Sequence, residues 1–138
     1  MPELPEVETT RRGLEPHLVG RRIATLLVRD RRLRRPIAAG LERRVAGAEI
    51  SALSRRAKYL VITTERGSLL IHLGMSGSLR ISDRTTPPGN HDHYDLVIAG
   101  GPTVRYRDPR RFGLLVWTTA APERHPLLAN LGPEPLGA

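Results

Sequence analysis

The sequence predicts a mainly β domain, an antiparallel sandwich or barrel-like fold with an N-terminal helix and a short C-terminal helix. Three observations carry this expectation. Seven short runs are β-branched or alternate between apolar and polar residues. Glycine and proline turns separate them. Only the segment behind the first residues and one near the end keep a helical period. A chain of 138 residues fits one domain, large enough to bury a core without covalent staples.

Taken in order, the first element is a helix. Pro5 suits the first turn of a helix, and Glu6 and Glu8 suit its positive N-terminal end. Val7, Thr10, Leu14 and Leu18 follow at helical spacing, so a helix is expected from 5 to 18, weakened or ended near Gly13 to Pro16. The expected strands are Ile23 to Arg29, Val45 to Leu53, Tyr59 to Thr64, Ser68 to His72, Tyr94 to Ala99, Thr103 to Arg107 and Leu114 to Thr118. Arg66-Gly67 and Gly100-Gly101-Pro102 are turn signals between them. Many short strands with such turns argue for a sandwich or barrel. A last short helix is expected from Pro122 to Leu131. Residues 1–131 read as the domain, and the tail from 132 to 138, GPEPLGA, as the start of a linker.

Composition narrows the partners. With no cysteine, neither a disulfide framework nor a thiolate zinc site can form. No basic-then-apolar leader opens the chain, and no apolar run approaches the roughly 20 residues of a membrane span. A soluble cytoplasmic protein is the expectation. Lys and Arg number 22 against 14 Asp and Glu, a net charge of +8. The excess is almost all arginine, which suits phosphates and base edges. Nucleic acid is therefore the leading partner class.

Four stretches can carry chemistry, and each has a plain structural alternative. In Met1-Pro2-Glu3, methionine is normally removed ahead of a small residue such as proline, leaving a secondary α-amine. With a pKa of about 8 against about 10.4 for lysine, roughly a tenth of such an amine is unprotonated at neutral pH. Its attack on a sugar C1′ gives an iminium directly, and a helix N-terminus nearby further disfavours its protonation. Glu3 and Glu6 place carboxylates within reach for proton transfer. Alternatively, Pro2 and Pro5 only stiffen the terminus. In RRAKYL, Lys58 stands at the mouth of a hydrophobic strand, where it can donate a proton, hold a phosphate or simply be solvated. In IHLGMSGSL, Gly74 and Gly77 bracket Met75 in a tight turn. Met75 can be an apolar wedge for a base stack or a core residue beside a bulge, and His72 can contact a phosphate. In YRDPRRFG, the turn at Asp108-Pro109 presents Arg110, Arg111 and Phe112. This is either a nucleic-acid contact or a hairpin with solvated arginines and a buried ring.

Two weaker signals remain. His91, His93 and Asp95 alternate in HDHYD and can face a metal, or one histidine can meet a phosphate. The run RDRRLRRP, including Arg34, reads as a basic loop along a backbone groove.

Together, MPELPEVETTRRGL, RRAKYL, IHLGMSGSLR, HDHYDL, YRDPRRFG and LGPEP closely resemble the bacterial formamidopyrimidine-DNA glycosylases, the 8-oxoguanine glycosylases, from residue 1 to about 136. The resemblance implies a bifunctional glycosylase and AP lyase that excises oxidised purines from damaged double-stranded DNA, acting as a monomer. It implies that Pro2 is the Schiff-base nucleophile and Glu3 the proton donor, that Glu6 assists, and that Lys58 serves β-elimination and phosphate binding. His72, His91 and Arg110 become DNA contacts, with Arg34 and Arg111 in the same basic surface. Met75, Arg110 and Phe112 become the trio that fills the gap left by an everted base. Arg110 offers only donors, which suit the O2 and N3 acceptors of an orphaned cytosine. Endonuclease VIII relatives differ at the start and in the wedge, which favours the oxidised-purine branch. The family continues into a helix–two-turn–helix domain and a cysteine zinc finger, neither of which is in this sequence. The chain is thus expected to be the N-terminal catalytic domain alone, with no cofactor or metal of its own. The competing expectation is a non-catalytic DNA-binding module that keeps the wedge and lacks the chemistry.

Overall fold

The computed structural model describes residues 4–83 and 85–129. Helix α1 spans Leu4–Leu18 and is followed by β1 (Ile23–Val28), α2 (Leu41–Val45), β2 (Ile50–Arg56), β3 (Tyr59–Thr64) and β4 (Ser68–His72). Then come β5 (Ser78–Ser82), β6 (Asp92–Ile98), β7 (Thr103–Arg107) and β8 (Leu114–Thr118). A 3₁₀ turn, Pro122–Arg124, leads into α3, Pro126–Ala129. The strands form two antiparallel four-stranded sheets, ordered β1-β6-β7-β5 and β2-β3-β4-β8. The mainly β expectation holds, and its form is a sandwich.

Alternation decides which residues fill it. Ile23, Leu26, Tyr94, Leu96, Val104 and Tyr106 of the first sheet meet Leu53, Leu60, Ile62, Leu69, Ile71 and Leu115 of the second in one core. Val7, Leu14 and Leu18 lie on one face of α1 and close the same core, with α1 packed on β2, β3 and β5. The second sheet is covered outside as well, because Leu128 of α3 packs with Tyr59, Val61, Leu70 and Leu114. Burial on both faces explains why β3 and β4 read as nearly continuous apolar runs.

Several boundaries differ from expectation, among them these: β6 begins at Asp92 and not at Tyr94, and the expected C-terminal helix is a 3₁₀ turn followed by α3. Helix α1 runs through Gly13 and Pro16 to Leu18, because Leu14 and Leu18 must both be buried and the hydrogen bond lost at Pro16 lies on an exposed face. The run Val45 to Leu53 is not one strand: Val45 ends α2, Gly47 turns the chain at φ 83°, and β2 extends instead to Arg56. Strand β5 was not expected, its alternation being hidden behind the glycine turn. The end of the C-terminal helix and the linker fall outside the described residues, as do Pro2 and Glu3.

One ion cluster ties α1 to the second sheet. Glu8 accepts hydrogen bonds from Arg11 (2.8 and 3.0 Å), Arg12 (2.9 Å) and, from β2, Arg55 Nε (3.1 Å). The Arg55 guanidinium also donates to the Ala57 carbonyl (3.1 Å), so the helix is linked to the β2–β3 hairpin next to Lys58. Arg11 above all, helped by Arg12 and Arg55 against some desolvation, holds the Glu8 carboxyl down at about 2 from its ordinary 4.5. A depressed carboxylate stabilises the fold above its ordinary value and loses that contribution as the pH falls through the folded one. We predict that Glu8→Gln lowers unfolding stability at neutral pH by about 1–2 kcal/mol, after allowance for solvent screening. The difference from the native chain should shrink as the pH drops from 4.5 toward 2. Urea unfolding across that range checks it; a constant difference would mean that Glu8 acts through packing.

Candidate nucleic-acid interface

Sheet register gathers the singled-out residues at one end of the sandwich. In the second sheet, Arg56, Tyr59, His72 and Leu114 stand side by side across β2, β3, β4 and β8. In the first, Arg107 is paired with both Asp92 and Ser78. The β2–β3 hairpin with Lys58, the turn 73–77 with Met75, the approach to β6 with His91, and the turn 108–113 with Arg110, Arg111 and Phe112 therefore share that end. The loop after β1 joins them, since Arg34 donates from its backbone to Gly113 O (3.1 Å) and from Nε to Phe112 O (3.1 Å). Glu6 is exposed in the first turn of α1, the helix that Glu8 fastens to this end through Arg55.

Both apolar tips are open to solvent. Met75 is 41% exposed and Phe112 is 42% exposed, so the core-methionine and buried-ring alternatives are overturned. The Arg110 guanidinium carbon lies 5.4 Å from the centre of the Phe112 ring, a cation–π arrangement that orients the two groups at the tip. Arg111 adopts φ 61°, a left-handed conformation uncommon for a side-chain-bearing residue. That kink is what turns Arg110 and Phe112 outward on either side of it.

The turn is held by a carboxylate. Asp108 is wholly buried. Its Oδ1 accepts the amides of Arg110 (3.2 Å) and Arg111 (3.0 Å) and the hydroxyl of Ser76 (3.0 Å). Its Oδ2 accepts the Gly113 amide (2.9 Å) and the Tyr106 hydroxyl (2.8 Å). Sequence reasoning treated Asp108 only as a turn starter and missed Ser76. The signal available was an Asp-Pro turn whose following residues all need their amides satisfied.

His72 differs from a cationic phosphate anchor. It is buried at the end of β4, edge-on to Tyr59 at 4.8 Å between ring centres. Its Nδ1 accepts the Gly74 amide (2.9 Å), which puts the ring proton on Nε2. Burial first, and then the charges of Arg34 and Lys58, push its pKa down to about 4. At neutral pH it is a fixed, uncharged single donor. The metal-like reading of the HDHYD stretch is overturned. Asp95 is gripped by Arg29 (2.6 and 3.0 Å) and Arg105 (2.9 and 3.1 Å), and the His93 ring nitrogens face the carbonyls of Asp30 and Asp108. Among the described residues no group of three His, Asp or Glu side chains is placed to hold a metal, and the chain has no cysteine to build a zinc finger. The basic loop is only partly a free cationic surface: Arg31 pairs with Glu42 and Arg32 with Asp30, whereas Arg34 is exposed beside Phe112.

An uncharged histidine next to cations, an exposed apolar pair with an arginine, and backbone-tight turns lie together at this end of the sandwich. Comparison with known proteins places the chain in a family. Residues 1–115 match the family model described as the formamidopyrimidine-DNA glycosylase N-terminal domain. The chain belongs to the formamidopyrimidine-DNA glycosylase family. Proteins of that name from Stutzerimonas stutzeri and Halorhodospira halophila are 59% identical over 137 residues and 58% identical over 139. Those alignments cover 99% and 100% of this chain but 50% and 52% of the relatives, so the chain spans about half the length of the curated relatives it matches. Among solved structures, the Lactococcus lactis enzyme bound non-covalently to DNA containing an AP site superposes with a TM-score of 0.74 at 34% identity, covering 83% of this chain and 45% of that one. The same enzyme with DNA containing FAPY-dG gives a TM-score of 0.74 at 34% identity, over 84% and 44%.

His72 generates a pH test. Its folded-state pKa lies below the ordinary 6.5, so below that value the unfolded chain binds the proton more readily and stability falls until about pH 4. His72→Asn keeps an acceptor for Gly74 and cannot take the proton. We predict that the native chain loses about 1–3 kcal/mol relative to this variant between those two pH values, as read by urea unfolding. A difference independent of pH would show that His72 is not neutral in the fold.

Proposed function

We propose that this chain is the nucleophile-bearing and wedge-bearing domain of a DNA-repair glycosylase with AP lyase activity on oxidised purines, 8-oxoguanine and formamidopyrimidines. The observation that carries the reading is the exposed Met75–Phe112 pair, with Arg110 over the ring, beside neutral His72 and the cations Lys58 and Arg34. A base cannot be excised inside a duplex, so it is flipped at a cost of a few kcal/mol. Met75 and Phe112 entering the stack offset part of that cost, and Arg110 then faces the orphaned partner base. Lys58, Arg34, Arg111, His91 and His72 take the backbone, with His72 giving one directed N–H.

In the chemical step, the Pro2 nitrogen bonds to C1′ as the bond from C1′ to the damaged base breaks, the base leaving as its protonated form. Glu3 supplies that proton and Glu6 assists. The amine proton passes to O4′ as the C1′–O4′ bond breaks, which opens the sugar and leaves a cationic iminium and a hydroxyl. Loss of a C2′ proton, with Lys58 near the site, sends electrons into the iminium and expels the 3′ phosphate. No metal or cofactor is needed for these steps. The domain is proposed to end near residue 131, with a linker following, to act as a monomer, and to work in the cytoplasm where bacterial DNA lies.

Two experiments test this reading. With Met1 removed, borohydride should crosslink the chain to DNA carrying an abasic site, and retention or blocking of the terminus should abolish the crosslink; undiminished trapping with a blocked terminus excludes Pro2. Arg110→Ala should erode the preference for cytosine opposite the lesion by about 1–3 kcal/mol in binding. Equal loss opposite every base would make Arg110 a phosphate anchor instead.

A further inference from the structure

The two exposed turns come from strands far apart in sequence, yet their backbones approach closely where Gly74 meets Phe112. The Ser76 hydroxyl donates to Asp108 Oδ1 (3.0 Å) and accepts the Arg110 amide (3.3 Å), so one atom belongs to both turns. The Tyr106 hydroxyl, bound to Asp108 Oδ2, sits where a Cβ on Gly113 would have to be and leaves no room for one on Gly77. A Cβ on Gly74, itself at φ 68°, would come within 2.6 Å of the Phe112 carbonyl carbon. The turns therefore meet backbone to backbone around a buried carboxylate. An Asp-Pro turn alone explains the amide bonds from Arg110 and Arg111 to Asp108. It does not explain Ser76 or Tyr106, which approach from outside it.

We infer that the turns 73–77 and 108–113 are one rigid unit joined through Ser76 and Asp108, so that Met75, Arg110 and Phe112 enter DNA together, with Ser76 and Asp108 as positioning residues. This rests on the DNA reading above. Two independent loops would each be ordered on binding, and their losses on mutation would multiply. A single unit inserts all or nothing. Removing either tip prevents insertion, and removing the second then costs little more.

The test uses the chain itself, with and without a duplex containing an abasic-site analogue. In the free chain, Ser76→Ala should speed hydrogen exchange at the Arg111 and Gly113 amides, which Ser76 does not touch, by about tenfold. Amides of β3 and β4 should be unchanged, and Ser76→Thr should restore native rates. Exchange raised only within 73–77 overturns the coupling. On DNA, Met75→Ala and Phe112→Ala should each reduce the preference for abasic over undamaged duplex, and the double variant should lose scarcely more than either single one. Losses that multiply would overturn the joint insertion even if exchange is coupled. If neither tip variant changes the preference, the DNA-wedge reading itself fails and the positioning role falls with it. The exchange data still report whether the turns are joined, so the two failures are told apart.

Discussion

A carboxylate taken wholly out of water loses several kcal/mol of hydration unless donors replace it. Asp108 is such a group, and among the described residues its partners are neutral: two hydroxyls and three backbone amides. That requirement shapes everything around it. The amides can converge on one side chain only if the chain after Pro109 curls tightly, and the curl puts Arg111 at φ 61°. Once it is curled, Arg110 and Phe112 have nowhere to go but outward. Left to apolar attraction alone, Phe112 and Met75 would fold back onto the sandwich. They stay exposed because the turn bearing Phe112 is hydrogen-bonded shut beneath it.

The electrostatics of this end follow a second logic. Burial opposes a charge on His72 most strongly, and Arg34 and Lys58 oppose it further. A third cation would add repulsion between the protein's own groups in the absence of a ligand. A neutral imidazole with a fixed tautomer avoids this and still presents one directional donor. The arginines that do pair, Arg31 with Glu42 and Arg32 with Asp30, mark where the basic loop is a scaffold and not a surface. The formal charge of the chain thus overstates how much of it is available to phosphates.

Much of this was legible in the sequence, and the limits have physical causes. Strands buried on both faces, such as β3 and β4, announce themselves because every position must be apolar. Short α2 and β5 do not: α2 buries only Leu41 and Val45, and in β5 only Leu79 is buried among exposed or half-exposed neighbours, so neither stands out from a turn. The motif residues Met75 and Phe112 were visible, but their exposure was not, because burial depends on what the partner turn leaves uncovered. Ser76 was invisible as anything but a turn residue. Its significance is a contact with Asp108, 32 positions away, and one sequence carries no trace of such a pairing. His91, His93 and Asp95 looked alike in spacing and came apart in the fold, because Arg29, just past β1, and Arg105 of β7 claim Asp95.

The proposed function puts its nucleophile at a chain terminus, although termini are ordinarily the least ordered part of a domain. Here the start of α1 is not left to itself. Glu8 draws Arg55 from β2, and Arg55 holds the Ala57 carbonyl next to Lys58. Ala57 pays for that grip with a left-handed backbone at φ 51°. One carboxylate and one guanidinium thus fix the N-terminal part of the helix relative to the lysine hairpin, on the same end of the sandwich as His72 and the two turns. On the proposed reading, a helix start held in this way supplies the fixed geometry that attack on a single sugar carbon requires.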